Sequence, residues 1–113
     1  MNPILIVDDE VEMRIAMSET LKQAGYPVEV SHNAIDALNK FRKNAYAMVV
    51  TDMTMPKRSG LELLKDIKAL KPELPVLMVT AYATIDTAIE AMKNGAFDYI
   101  QKPFKSDVFT FKV

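Results

Sequence analysis

Five polar residues in this chain stand where chemistry is possible. Asp8 and Asp9 follow the apolar run Ile4-Leu5-Ile6-Val7, and Asp52 closes Met48-Val49-Val50-Thr51. Thr80 follows a run over 75–79, and Lys102 follows one over 97–101. An ionisable acid at the end of a buried strand is costly unless it is paired or solvated. Each residue also has a plain structural use. Asp52 can open a turn that Pro56 then enforces, Asp9 can cap a helix, Lys102 can be a surface lysine, and Thr80 a loop hydroxyl. Their joint occurrence at four strand ends is what points to a site.

Three carboxylates that converge cannot all stay ionised without a cation. The chain has no cysteine and one histidine, His32, so the donors are all oxygen. Such a set selects a hard divalent ion, Mg²⁺, which keeps open positions suited to a phosphate. Lys102 adds a positive charge and Thr80 a hydroxyl for phosphate oxygens. The chemistry these groups suit is phosphoryl transfer, in which a carboxylate can act as nucleophile and form an aspartyl-phosphate.

The elements that must position them are legible in the periodicity. Short β-rich runs over 3–7, 27–30, 47–51, 75–79 and 97–101 read as strands. Helical patterns lie between them. Met13, Ala16, Met17, Thr20, Leu21 and Ala24 share a face behind an Asp9–Glu12 capping box, and Gly25 closes that helix. Asn33 caps a helix that turns Ala34, Ala37, Leu38 and Phe41 inward and ends at Asn44. Ser59 and Glu62 form a second capping box ahead of Leu61, Leu64, Ile67 and Leu70, and Thr84 starts a helix aligning Ile85, Ala88, Ile89 and Met92 before Gly95. A short last element follows Lys102-Pro103-Phe104. Strict alternation of strands with helices of about 10–15 residues implies a parallel sheet covered on both faces. With right-handed crossovers this is a doubly wound, flavodoxin-like α/β fold, a (βα)5 arrangement of strand order 2-1-3-4-5. In that order the first and third strands are neighbours, and ligands sit beyond the carboxyl ends of the strands.

At 113 residues the chain, 1–113, reads as one domain. A net charge of -1 argues against a general nucleic-acid binder. No apolar run approaches the roughly 20 residues of a membrane span, and Met1-Asn2-Pro3 lacks the regions of a signal peptide. A cytoplasmic location is the expectation.

Asp8-Asp9, Asp52 with Met55-Pro56, Thr80-Ala81 and Lys102-Pro103-Phe104 together resemble the receiver domain of two-component response regulators, over essentially the whole chain. The resemblance implies that Asp52 accepts a phosphoryl group from a sensor histidine kinase. It implies that Asp8, Asp9, Asp52 and the backbone carbonyl of Thr54 bind Mg²⁺, that Lys102 pairs with the phosphoryl group and Thr80 hydrogen-bonds it, and that Tyr99 is the switch partner of Thr80. A cis Lys102–Pro103 bond is implied as well. The stretches 79–88 and 93–99 look like those of NtrC-type receivers. Those usually precede an AAA+ ATPase that activates σ54-dependent transcription, and a DNA-binding domain, neither of which is present here. Only ten residues follow Pro103, fewer than the family's final helix usually occupies, so a shortened or altered last helix is expected. Phe109 and Phe111 read as core or as part of an interface.

On this reading the domain catalyses its own phosphorylation and dephosphorylation rather than turning over a substrate. The surface of the fourth helix and fifth strand carries the output, and the fourth helix, fifth strand and fifth helix can support a homodimer. Met13, Arg14 and Met17 are candidate kinase contacts, although both methionines read first as core. Thr54 and Tyr82 flank the site and can gate water. Two other classes stay open: a phosphohydrolase using the same Asp52, which would lack the usual second acid because Thr54 occupies its place, and an interaction module that is never phosphorylated.

Overall fold

The computed structural model describes residues 2–55, 57–81, 84–102 and 104–113, with backbone alone at Val108 and Phe111. The β-branched runs form β1 (Ile4–Val7), β2 (Val28–Ser31), β3 (Met48–Asp52), β4 (Val76–Thr80) and β5 (Asp98–Gln101). Between and after them lie α1 (Val11–Gln23), α2 (Ala34–Lys43), α3 (Gly60–Leu70), α4 (Ile85–Lys93) and α5 (Ser106–Lys112). All strand pairs are parallel, in the order β2-β1-β3-β4-β5. This is the doubly wound α/β fold that the alternation implied.

The period of two along each strand divides the core into two layers. Ile4, Ile6, Met48, Val50, Leu77, Val79 and Ile100 face α1 and α5 and pack on Met17, Leu21 and Phe109. Leu5, Val7, Val49, Val76 and Met78 face α2, α3 and α4. Continuing the first set by two residues reaches Asp8, Asp52 and Lys102. Strand parity therefore delivers these three to one face at one end of the sheet.

Several local expectations change. The Asp9–Glu12 capping box does not form: α1 begins at Val11, and its cap position, Glu10, makes no side-chain cap bond. The Glu10 amide instead donates to Asp8 Oδ1 at 2.9 Å, which leaves Asp9 exposed at the site. Ala16 and Ala24 are exposed. In α3 the buried stripe is Leu63, Leu64 and Ile67, with Leu61 partly buried and Leu70 half exposed, because a strict three-residue spacing drifts off a helix face. In α4 the aligned Ile85, Ile89 and Met92 point outward, and Ile85 is 79% exposed. The helix lies on the sheet through small residues, with Ala91 fully buried. Phe97 precedes β5 and is half exposed. The expected caps at Asn33 and at Ser59–Glu62 are present, and Thr84–Thr87 adds another. Gly25 and Gly95, with φ near +95°, end α1 and α4 in the left-handed conformation that favours glycine. The last helix is short, at seven residues, and its Phe109 is core, stacked on Phe104 at 5.0 Å; the Phe111 side chain lies outside the described residues.

Gly60 sets the distance between α3 and the end of β3. Its amide donates to Met53 O at 3.0 Å, and a Cβ there would sit 1.9 Å from Asp52 O. Backbone atoms on both sides leave nothing able to give way. Gly60→Ala is expected to cost about 3 kcal/mol of stability, read by urea denaturation; a loss of a few tenths would show that the backbone moves aside freely.

Candidate functional site

The acids converge as the topology requires. One carboxylate oxygen each from Asp8, Asp9, Glu10 and Asp52 lies within 4.8 Å of all the others. Asp8 and Asp52 are buried, whereas Asp9 and Glu10 are exposed, so the cluster is open on one side. Glu10 escaped the sequence reading, because neither its spacing nor a strand end marks it. It reaches the cluster only because the chain turns at Asp8 to begin α1.

Lys102 is the counter-charge. Its Nζ donates to Asp8 Oδ2 at 2.8 Å and to Asp52 Oδ2 at 3.4 Å, and lies 3.7 Å from Glu10 Oε1. Burial works against its charge, but the Asp8 hydrogen bond and the charges of Asp52 and Asp8 outweigh it, and the ammonium's pKa is raised. Asp52 Oδ1 accepts the Thr54 amide at 3.3 Å. Burial is the main influence on the Asp52 carboxyl and raises its pKa; Lys102 opposes that and Asp8 reinforces it. Behind Asp8, Arg14 Nη1 donates to its carbonyl at 2.7 Å. Arg14 therefore braces the site, and Met17 is buried at 1% exposure, so of the three candidate kinase contacts on α1 only Met13 is both partly exposed and uncommitted to these interactions.

Thr80 is the last residue of β4 and is buried. Its carbonyl accepts the Lys102 amide at 2.7 Å, so the end of β4 fixes the backbone of the lysine. Met53 N–H donates to Val79 O at 2.9 Å and ties the segment after Asp52 to the same strand. Tyr99 is not at the acid cluster. It stands on the opposite face of the sheet, packed against the layer under α2, α3 and α4, and its hydroxyl lies 2.9 Å from Thr87 Oγ1. Thr87 Oγ1 also accepts the Thr84 amide and donates to Thr84 O, each at 3.0 Å. Either oxygen can be the donor in the Tyr99–Thr87 pair. The sequence carried no signal for Thr87, which reads there as one more small residue on a weak helix face. Pro56, Tyr82, Ala83 and Pro103, and with them the cis bond and the water-gating role of Tyr82, lie outside the described residues.

The donor set fits a hard divalent ion: it is all oxygen, preassembled, partly open, and held together by one ammonium. In its absence Asp52 carries an unfavourable charge. Because its folded pKa is raised, the native state takes up the proton first as pH falls, and the penalty is full above the raised value and gone below the ordinary 3.8. Asp52→Asn should therefore stabilise the metal-free chain at pH 7 by about 1 kcal/mol. Urea denaturation across pH should show the gap between variant and wild type closing as pH falls through that window; a constant gap would exclude ionisation of Asp52 as its source.

Comparison with known proteins gives this arrangement its context. The response regulator receiver domain family matches residues 4–113. The transcriptional regulatory protein ZraR of Klebsiella oxytoca is 41% identical over 104 residues, 92% of this chain and 24% of that protein. The C4-dicarboxylate transport transcriptional regulatory protein DctD of Rhizobium meliloti is 38% identical over 92% of this chain and 23% of its own length. The chain thus spans about a quarter of the length of these curated relatives. Among solved structures, the receiver domain of NtrX from Brucella abortus superposes with a TM-score of 0.91 at 37% identity, covering 96% of this chain and 92% of that one. These relatives agree with the likeness to NtrC-type receivers. The matched span, the strand order and the likeness to solved receivers converge: this chain belongs to the response regulator receiver domain family.

Proposed function

We propose that Asp52 accepts a phosphoryl group from a sensor histidine kinase, and that the domain converts this into a change of surface on α4 and β5. The observation that carries the reading is Lys102 Nζ seated between Asp8 and Asp52, inside a cluster of four carboxylates. Asp8, Asp9, Asp52 and the Thr54 carbonyl would hold Mg²⁺, which when bound neutralises charge on the carboxylates and on the phosphoryl oxygens. In the transfer, an Asp52 carboxylate oxygen bonds to phosphorus as the phosphorus–nitrogen bond of the donor breaks. The imidazole leaves with that electron pair and takes a proton. Lys102, kept charged by its acidic neighbours, faces the developing negative charge, and Thr80 offers its hydroxyl to a phosphoryl oxygen. Dephosphorylation by water reuses the same residues, so the domain acts on itself rather than turning over a substrate.

Access and readout lie on different faces. A groove of about 450 Å³ beside Lys102, lined by Glu10, Met13, Ala16, Phe104 and Ser106, gives a donor a way in from the α1 side. On the other face, attraction of Thr80 towards a phosphoryl group makes room for Tyr99 to turn inward. That turn takes its hydroxyl from Thr87 and loosens the first turn of α4, which shifts a population between two states. The exposed Ile85, Ile89 and Met92 of α4 are the apolar surface on which an output domain or a second copy can dock. The lengths of the relatives support a longer regulator, with AAA+ and DNA-binding segments that promote σ54-dependent transcription and take over the contacts with DNA. Membership of the response regulator receiver family supports action in the cytoplasm; among the described residues no helix is long and apolar enough to cross a membrane.

Incubation with a small acyl phosphate and Mg²⁺ should add one phosphoryl group per chain, detected by intact mass, and Asp52→Asn should take up none. Equal uptake by the variant would end the proposal, and continuous release of phosphate without a labelled intermediate would favour a phosphohydrolase. For the readout, Tyr99→Phe, which leaves the Thr84–Thr87 cap in place, should raise hydrogen exchange at the amides of residues 85–88 about fivefold, the loss expected of one hydrogen bond; unchanged exchange would show that Tyr99 does not tether α4.

A further inference from the structure

The loop from β3 to α3 carries Thr54, and it holds Lys57 at φ 70°, the left-handed region that a side chain with a Cβ enters at a cost. Such a conformation persists only where its surroundings over-determine it. The base of the loop is fixed by the Gly60 amide on Met53 O at 3.0 Å. Its outer side is fixed by the residue next to Lys57. Arg58 lays its guanidinium along Asp66, with Nε 2.8 Å from Oδ2 and Nη2 2.9 Å from Oδ1, while Nη1 lies 3.2 Å from Glu62 Oε2. Two parallel bonds from a planar fork fix orientation as well as distance. The anchor itself is firm, because Asp66 stands next to Ile67 on a helix whose Leu63, Leu64 and Ile67 are fully buried.

We propose that Arg58 is a positioning residue for the metal site: its clamp on Asp66 holds Lys57 left-handed and so fixes the Thr54 backbone beside Asp52. The near end of the same loop is already tied to the site, since the Thr54 amide donates to Asp52 Oδ1 at 3.3 Å. A free loop would relax Lys57 towards negative φ, and the Thr54 carbonyl would lose the position that the proposed Mg²⁺ site requires of it. Arg58 touches neither the carboxylates nor their ion. It acts through the chain that joins it to Thr54, and its effect therefore depends on the strain at Lys57. The inference rests on the proposed Mg²⁺ site.

The test is titration of Mg²⁺ alone into the full chain, followed by calorimetry and by the amide resonance of Thr54, with thermal melting run in parallel. Arg58→Met should weaken Mg²⁺ about tenfold, the lower end of the effect of outer-shell partners on metal sites, and Asp66→Asn should weaken it in the same direction from the helix side. The double variant K57G/R58M should recover most of the affinity without restoring the ion pair, since glycine holds the left-handed conformation unaided. Affinity in Arg58→Met equal to wild type, or a double variant no better than Arg58→Met, overturns the clamp. Failure of the wild-type chain itself to bind Mg²⁺ overturns the site reading and the clamp with it. Melting temperatures that fall while Mg²⁺ affinity holds assign the pair to stability alone and also overturn it.

Discussion

The site depends on one ammonium group placed among carboxylates. Asp8 is fully buried and Asp52 nearly so, and like charges at that depth repel strongly. Lys102 resolves the repulsion by bonding to both, at 2.8 and 3.4 Å. The three residues come from β1, β3 and the end of β5, so a single cation links the far edge of the sheet to its centre. Under the proposed function the same ammonium later meets the phosphoryl oxygens. The group that makes the resting site tolerable is thus the group the transfer needs, and little has to be built at the moment of reaction.

Stiffness is unevenly distributed around this centre. On the acid side, backbone bonds hold everything: Lys102 to Thr80, Met53 to Val79, and Gly60 to Met53, with Gly60 too close to Asp52 for a Cβ. On the α4 side, the helix rests on the sheet with only Ala91 fully buried and is linked to β5 through the Tyr99–Thr87 hydroxyl pair. A helix with so little buried apolar surface opens at low cost. A rigid chemical end and a weakly held helix beside it are what a phosphorylation-driven switch requires, because a small change in charge must produce a large change in surface.

Most of the fold was legible because its signals are local. Strand runs, capping residues and closing glycines act within a few residues, and their alternation left few topologies open. The weakest expectations concerned helix faces. The outward stripe of α4 and the exposure of Leu70 were invisible because an amphipathic pattern says that one face is apolar, not which face meets the sheet. In α4 the small face wins, since Ala91 permits closer approach than Ile85 or Met92 would.

The sequence alone determined the chemistry available at the site. Asp8, Asp9, Asp52, Thr80 and Lys102 follow strand runs, and strand parity with parallel order must carry three of them to one end of one face. Only the tertiary structure decided who partners whom. Glu10 joins the acids, Arg14 braces Asp8, Thr87 holds Tyr99, and Arg58 grips Asp66, each through contacts set by turns and side-chain reach rather than by period. Periodicity fixes direction along an element. Contacts at turns and between side chains depend on distances of a few ångströms, and those distances exist only once all the elements are packed.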